Sequence, residues 1–360
     1  MNIRVWLVAL FAVTAAAGTI SALAGATAGG SIVFGLHVHG EPDRVVVVRP
    51  DGTGRVSRRL RPPGCSGCLQ VSSDGTRLLT AAYEGKRITT AVEKLDGNGY
   101  RAFRLPGQAL NLGPGAWSAD GRRIAFEGWA AQGAQNGLYT GSAVDGSGLR
   151  RVTTSRGRSH DIPLVYSPDG RWILFARSTT ADDSKPADLY AVQTDGKALR
   201  RLNPSGTGVR WGFFGSPATW SADSRTIAFA AFDLRAFDTG RSAVFTITPK
   251  GGSLHRITPW EGWTTGARFS PTGAWIAFDR LPGHDLLLMR PDGTGVRTIV
   301  SAASDGIGSC CAGWSPDGTQ LVFQRGDSSA ATLWTVKADG TALKEISSTA
   351  GEYAFYAWVP

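Results

Sequence analysis

Trp314-Ser315-Pro316-Asp317-Gly318-Thr319-Gln320-Leu321-Val322-Phe323 is the stretch on which the reading of this chain turns. An aromatic residue, Ser-x-Asp-Gly and an apolar-x-Phe pair spell a strand, a tight turn and a second strand. The phrase returns as Trp117-Ser118-Ala119-Asp120-Gly121 before Ile124-x-Phe126, and as Tyr166-Ser167-Pro168-Asp169-Gly170 before Ile173-x-Phe175. Looser copies begin at Trp220 and Phe269, and the weakest at Val71. A unit this short cannot bury its own apolar face, so repetition decides the architecture.

Each unit continues in the same way. After the apolar-x-Phe strand comes a loop, then an apolar strand such as Asp188-Leu189-Tyr190-Ala191-Val192. An Asp-Gly turn follows, as at Asp195-Gly196, and then a short strand such as Arg201-Leu202. Asp-Gly between apolar runs is a strong hairpin signal, because Gly accepts positive φ at no steric cost. Four antiparallel strands per unit of about 45 to 54 residues is the pattern of a propeller blade. The ends complete the count. Ile32-Val33-Phe34, Arg44 to Arg49 and Arg58-Arg59-Leu60 read as strands two, three and four of a blade without a first strand. Ala354 to Pro360 reads as a first strand with nothing after it. The expectation is an all-β, seven-bladed β-propeller of four-stranded antiparallel blades, closed by one blade shared between the N- and C-terminal strands. It occupies 31–360 as a single domain.

The 360 residues are 42% apolar and only 19% charged, with 47 Gly, which suits many short strands and argues against disorder. The net charge of +9 comes mostly from Arg. Arg58-Arg59, Arg150-Arg151 and Arg200-Arg201 hold the same place in three units, spread around the molecule rather than gathered into a nucleic-acid patch. Residues 1–28 read as a signal peptide: Arg4, an apolar run from Val5 to Ala17, and Ala22-Leu23-Ala24 as the cleavage site. Ala24-Gly25-Ala26 is a second candidate site, and an uncleaved anchor is the competing reading. With cleavage no membrane span remains, and a secreted or periplasmic, monomeric protein is expected. Four cysteines in an exported chain point to disulfides. Cys65-x-x-Cys68 and Cys310-Cys311 sit before the first strands at Val71 and Trp314, and two local bridges are the simplest arrangement.

At the repeat residues the chain resembles the TolB-like propellers, whose unit reads much like Trp-Ser-Pro-Asp-Gly followed by an Ile-x-Phe strand and a Leu-Tyr strand. The resemblance runs from about residue 31 to the end. It departs from TolB itself in having no stretch like the small α/β domain that precedes that propeller, and in counting seven blades against six. No hydrolase domain follows the repeats, unlike the propellers fused to peptidases. The resemblance implies an exported scaffold for binding; separately, no cofactor is expected.

Strand order puts the Ser-x-Asp-Gly and Asp-Gly turns on one face and the loops after strands two and four on the other. Variable loops on a rigid scaffold are where binding resides. The turn Asp and Ser residues bond their own backbone and are read as structural. The variable face carries Arg210-Trp211-Gly212-Phe213-Phe214, then Phe232-Asp233-Leu234-Arg235, then Trp260-Glu261-Gly262-Trp263. Neighbouring blades supply them, so Arg210, Trp211, Phe213, Phe214, Asp233, Arg235, Trp260, Glu261 and Trp263 are expected together at the channel mouth, with His160. Aromatics interspersed with charges suit a protein, peptide or glycan; the plainer reading is that they fill gaps between blades. His160-Asp161 is read as a hydrogen-bonded pair at the mouth. The alternative function is a channel-mouth polysaccharide lyase or hydrolase using His160, Asp161 and Glu261, with Asp233 and Arg210 in support. Contiguity of Ser159, His160 and Asp161 does not make a triad. His37-x-His39 lacks the carboxylate or cysteine company of a metal site, and no metal is expected.

Overall fold

A computed structural model describes residues 30–61, 69–85, 87–103, 110–130, 133–155, 157, 159–178, 187–203, 208–211, 218–233, 235, 241–252, 254–280, 285–302, 309–326 and 331–360. The segment 1–28 read as a leader lies outside the described residues, as do Cys65, Cys68, Phe213 and Phe214. No helix among the described residues is long and apolar enough to cross a membrane.

The chain closes on itself. β1 (Ser31–His37), β2 (Arg44–Val48) and β3 (Val56–Arg59) form one antiparallel sheet, and β28 (Lys344–Val359) supplies the missing strand beside β1. Ile32 lies opposite Trp358 and Val33 opposite Ala357. The first half of β28 pairs instead with β27 (Ala331–Lys337), where Thr335 faces Lys344. One long strand thus serves two blades, and the closed ring leaves no sheet edge at the chain ends.

Five further sheets and the β27 sheet complete seven blades. Blade 2 holds β4 (Gln70–Val71), β5 (Arg77–Glu84), β6 (Arg87–Lys94) and β7 (Arg101–Ala102). Blade 3 holds β8 (Asn111–Trp117), β9 (Arg123–Trp129), β10 (Gly137–Ser142) and β11 (Arg150–Arg151). Blade 4 holds β12 (His160–Tyr166), β13 (Trp172–Ser178), β14 (Asp188–Gln193) and β15 (Leu199–Arg201). Blade 5 holds β16 (Val209–Trp211), β17 (Ala218–Trp220), β18 (Ile227–Asp233), β19 (Ser242–Ile247) and β20 (His255–Arg256). Blade 6 holds β21 (Thr264–Phe269), β22 (Ile276–Arg280), β23 (Asp285–Met289) and β24 (Arg297–Val300). Blade 7 holds β25 (Ser309–Trp314), β26 (Gln320–Arg325), β27 and the start of β28.

The Ile-x-Phe rows explain the stacking. The Ile and Phe of each second strand face the preceding blade, and the residue between them faces the following one. Ile173 and Phe175 pack against Ala116, Ala125 and Leu138 of blade 3. Ile276 and Phe278 pack against Ala228 and Val244 of blade 5. Leu321 and Phe323 pack against Ala277 and Leu288 of blade 6. A large side chain meeting a small one lets neighbouring sheets approach to native density. Each fully buried Phe contributes on the order of 1.5–3 kcal/mol relative to exposure.

The Ser-x-Asp-Gly turns are self-contained. Asp120 Oδ1 accepts from Ser118 Oγ at 2.6 Å and from Arg122 N–H at 3.0 Å, while Ser118 Oγ accepts from Arg123 N–H at 2.9 Å. Gly121 takes the positive φ of 66° that the turn requires. In blade 5 a serine stands in that place: Ser224 holds φ 61°, and its Oγ accepts from Asp169 N–H of blade 4 at 3.0 Å. An interblade bond therefore accompanies the strained residue.

The repeated arginines tie blade to blade. Arg58 donates to Leu95 O and to Glu93 of blade 2. Arg101 donates to Val144 O of blade 3, Arg150 to Thr194 O and Asp195 O of blade 4, and Arg297 to Ala338 O of blade 7. Four of the basic side chains thereby lie on structural seams between blades.

The first strands run further than the alternation suggests. A register shift interrupts β8 between Gly113 and Ala116, β12 between Pro163 and Val165, β21 between Thr265 and Arg268, and β25 between Cys310 and Gly313. A bulge adds a residue and breaks the period of two. His160 and Asp161, expected before the Tyr166 strand, therefore lie within β12. Cys310 and Cys311 lie within β25 rather than on a loop before it. Val209–Trp211, expected as loop, is a strand paired with β18, so the first strand of blade 5 comes in two pieces.

Candidate functional site

The variable face begins where the first strands start and the second strands end. On blade 4 the adjacent His160 and Asp161 take different partners. His160 Nδ1 lies 2.6 Å from Glu127 Oε1 on blade 3, a bond that spans two blades. Asp161 is wholly buried and held from both sides by the Arg177 guanidinium: Nε to Oδ1 at 2.6 Å and Nη2 to Oδ2 at 2.7 Å. Thr153 Oγ1 also donates to it. Arg177 also packs on the Phe175 and Tyr190 rings, which stack on each other at 5.4 Å, with its guanidinium 4.9 Å from the Tyr190 centroid. The pair expected between His160 and Asp161 is thus replaced by two separate ties, one between blades and one inside the wall.

The aromatic cluster divides. Trp263 packs edge-on against Phe232 at 5.1 Å, between the end of β18 and the start of β21. Trp260 turns outward, against Phe245 at 5.5 Å, with Arg241 and Arg256 over its ring. Trp260 thus packs on the third and fourth strands of its own blade, and its neighbour Glu261 is held by a backbone bridge to Ser242 at the start of β19. Glu261 Oε2 lies 2.9 Å from Arg280 Nη1 at the exposed rim. Asp233 closes its loop by accepting from Arg235 N–H at 3.1 Å, and the exposed Arg235 side chain covers Gly208. Arg210 and Trp211 lie in β16, and their side chains are outside the described residues, as are those of Cys310 and Cys311.

Further polar groups on this face are spent on structure. Asp188 Oδ1 accepts from Arg201 and Asn203, and Asn203 Oδ1 accepts from Leu189 N–H. His37 Nδ1 lies 2.7 Å from Asp43 Oδ1. Among the described residues no three His, Cys, Asp or Glu side chains gather to hold a metal ion. This face thus presents the exposed Arg235 side chain and the Glu261–Arg280 pair, and it also holds the half-buried His160–Glu127 pair.

The opposite, turn-lined face carries two clefts that no motif announces. One, of about 330 Å³, lies between blades 3 and 4 beside Arg123, Arg150 and Tyr166. Tyr166 is buried, and burial pushes its phenol well above the usual range. The other, of about 600 Å³, lies between blades 5 and 6 beside Thr226 and Phe269. Both trace to the residue just before the apolar-x-Phe pair: Arg77, Arg123, Trp172, Thr226, Trp275 and Gln320 in blades 2 to 7. Trp172 and Trp275 fill the gap toward the next blade. Arg123 turns back to Thr140 and Thr226 is small, and there the gap stays open. That position is readable from the repeats once they are aligned.

No family model matches the chain. An uncharacterised protein of Agrobacterium fabrum is 28% identical over 209 residues, 58% of this chain and 63% of that protein. The match thus spans less than two thirds of the relative's length. Among solved structures, TolB from Acinetobacter baumannii superposes with a TM-score of 0.51 at 16% identity, over 91% of this chain and 82% of that one. A puromycin hydrolase gives a TM-score of 0.63 at 18% identity, over 90% of this chain and 53% of that one. An oligogalacturonate lyase in complex with manganese gives 0.51 at 14% identity, over 77% and 74%. At these identities the likeness is one of fold. That fold is a TolB-like β-propeller, which TolB shares with a hydrolase and a lyase.

Proposed function

We propose that this protein is an exported, non-catalytic binding scaffold whose variable-loop face holds a protein, peptide or glycan. The observation that carries the reading is that the three candidate acid and base groups are tied to three different partners and not to one another, with Asp161 wholly buried. His160 is engaged by Glu127, Asp161 by Arg177 and Thr153, and Glu261 by Arg280. Groups held this way stiffen a rim, and the aromatic and charged side chains between them supply recognition. The leader-like segment and the cysteine pairs support a secreted or periplasmic, monomeric form. The TolB fold likeness is consistent with protein partners but names none.

The test replaces Trp211, Phe214 and Trp263 by alanine, checks the fold by thermal melting, and measures capture of partners and immobilised glycans from the exported fraction. Capture should fall at least about tenfold, as expected when aromatic anchors are lost. Undiminished capture would mean that this face does not hold the partner. Turnover of polysaccharide by the wild type that His160→Ala or Glu261→Gln abolishes would favour the lyase or hydrolase reading instead.

A further inference from the structure

The cleft between blades 5 and 6 has a counterpart elsewhere in the ring that is already filled. Between blades 2 and 3 the filler is Arg77. Its guanidinium stands 4.8 Å from the Trp117 ring centroid, and Nη2 donates to Gly121 O at 2.8 Å. Asp74 of the same turn lies 4.0 Å away. Three electron-rich groups thus flank one guanidinium: an aromatic face, the carbonyl of the turn glycine that accepts its hydrogen bond, and a turn carboxylate within ion-pair range. This is an arrangement that suits a delocalised planar cation.

The cleft at blades 5 and 6 repeats those groups and omits the cation. Phe269 stands where Trp117 stands, Gly273 where Gly121 stands, and Asp223 where Asp74 stands, and all three line the cleft. Thr226 replaces Arg77. Asp292 adds a second carboxylate, and His255 is the basic side chain among the lining residues. The Asp223 carboxyl is held below the ordinary range by the Ser221 hydroxyl and then by Arg225 N–H. Asp292 is held low by Thr294 N–H and then its hydroxyl, so both are negative at neutral pH. A volume of about 600 Å³ leaves ample room for a side chain.

We propose that this cleft is a guanidinium site: it receives an arginine side chain of a partner protein in the place that Arg77 fills from within the ring. The site lies on the turn-lined face and is independent of the variable-loop reading. A partner can therefore be gripped on a side of the molecule that the variable loops do not reach.

The test is a backbone-amide NMR titration with the peptide acetyl-Gly-Arg-Gly-amide. The expected result is saturable shifts centred on Thr226, Thr272 and Gly273. Asp223→Asn should weaken binding about tenfold, the weight of one charge-assisted contact. Thr226→Arg, which supplies the cation internally, should abolish it. Thr226→Trp, carrying the side chain that blades 4 and 6 hold at that position, gives a second block should the arginine variant fold poorly. Shifts of equal size with the uncharged citrulline peptide overturn the proposal. So does the absence of saturable shifts, or undiminished binding in a folded Thr226→Trp variant.

Discussion

Replacing Arg177 by methionine is expected to destabilise the protein by about 3 kcal/mol, and the reason lies in what remains behind. Asp161 is wholly buried. Its two carboxylate oxygens are met by Arg177 Nε and Nη2 at 2.6 and 2.7 Å. Without the guanidinium, Thr153 Oγ1 alone still donates to it. Removing one partner of a buried pair costs roughly 3–5 kcal/mol because a charge is left uncompensated. The remaining hydroxyl places the expectation at the lower end. The double variant Asp161→Leu/Arg177→Met removes the charge together with its partner and should lie within about 1 kcal/mol of wild type. Urea unfolding followed by tryptophan fluorescence reads both as shifts in midpoint at constant slope. A single variant within about 0.5 kcal/mol of wild type, or a double variant as damaged as the single, would refute the structural role assigned to this pair.

Other outcomes follow from the same geometry. Gly75 sits at φ 68° with its missing Cβ 2.7 Å from Val359, so Gly75→Ala should cost about 2–3 kcal/mol; Gly251→Ala, at φ 77° but facing open space, should cost about 1 kcal/mol, both read by the same unfolding assay. Asp120 and Asp317 have carboxyls lowered by the Ser118 and Ser315 hydroxyls and then by backbone N–H groups. A depressed folded pKa gives stability that is present above the unfolded value of about 3.9 and lost as pH falls through the folded one. Unfolding free energy should therefore be level from pH 7 to 5 and decline below about pH 4, with a shallower decline in Asp317→Asn. Intact mass of the exported protein should show all four cysteines oxidised, with Cys65–Cys68 and Cys310–Cys311 recovered as separate peptides; free thiols would remove the disulfide reading.

The ring is legible in the sequence because its signal is repeated. Six spaced copies outweigh the looseness of any one, and the aromatic at Trp358 announces a seventh first strand even with no turn after it. The upper halves of the first strands are not legible. Pro163 and the Cys310–Gly313 stretch sit at bulges, and a bulge erases the alternation by which a strand is recognised. Pattern alone consequently puts His160, Asp161, Cys310 and Cys311 on loops. The direction taken by Trp260 is also out of reach. Sequence neighbours Trp260 and Trp263 pack on different strands, on Phe245 of β19 and Phe232 of β18, and Glu261 between them bridges to Ser242, a long-range pairing that no local pattern records. The turn-face clefts are hidden for a different reason. Their cause is what is small at Thr226 and what is turned aside at Arg123, and a missing side chain leaves no motif.

Both ends of the chain share one sheet, and hydrogen exchange in the intact protein tests that closure most directly. β1 lies between β2 and β28, with Val33 opposite Val47 on one side and Ala357 on the other, so successive amides are bonded to alternate neighbours. Every amide from Ile32 to Leu36 should exchange as slowly as those of β13 in the middle of blade 4. If alternate amides of that segment exchange at the rate of an open strand edge, β28 does not lie beside β1 and the ring is not closed as described.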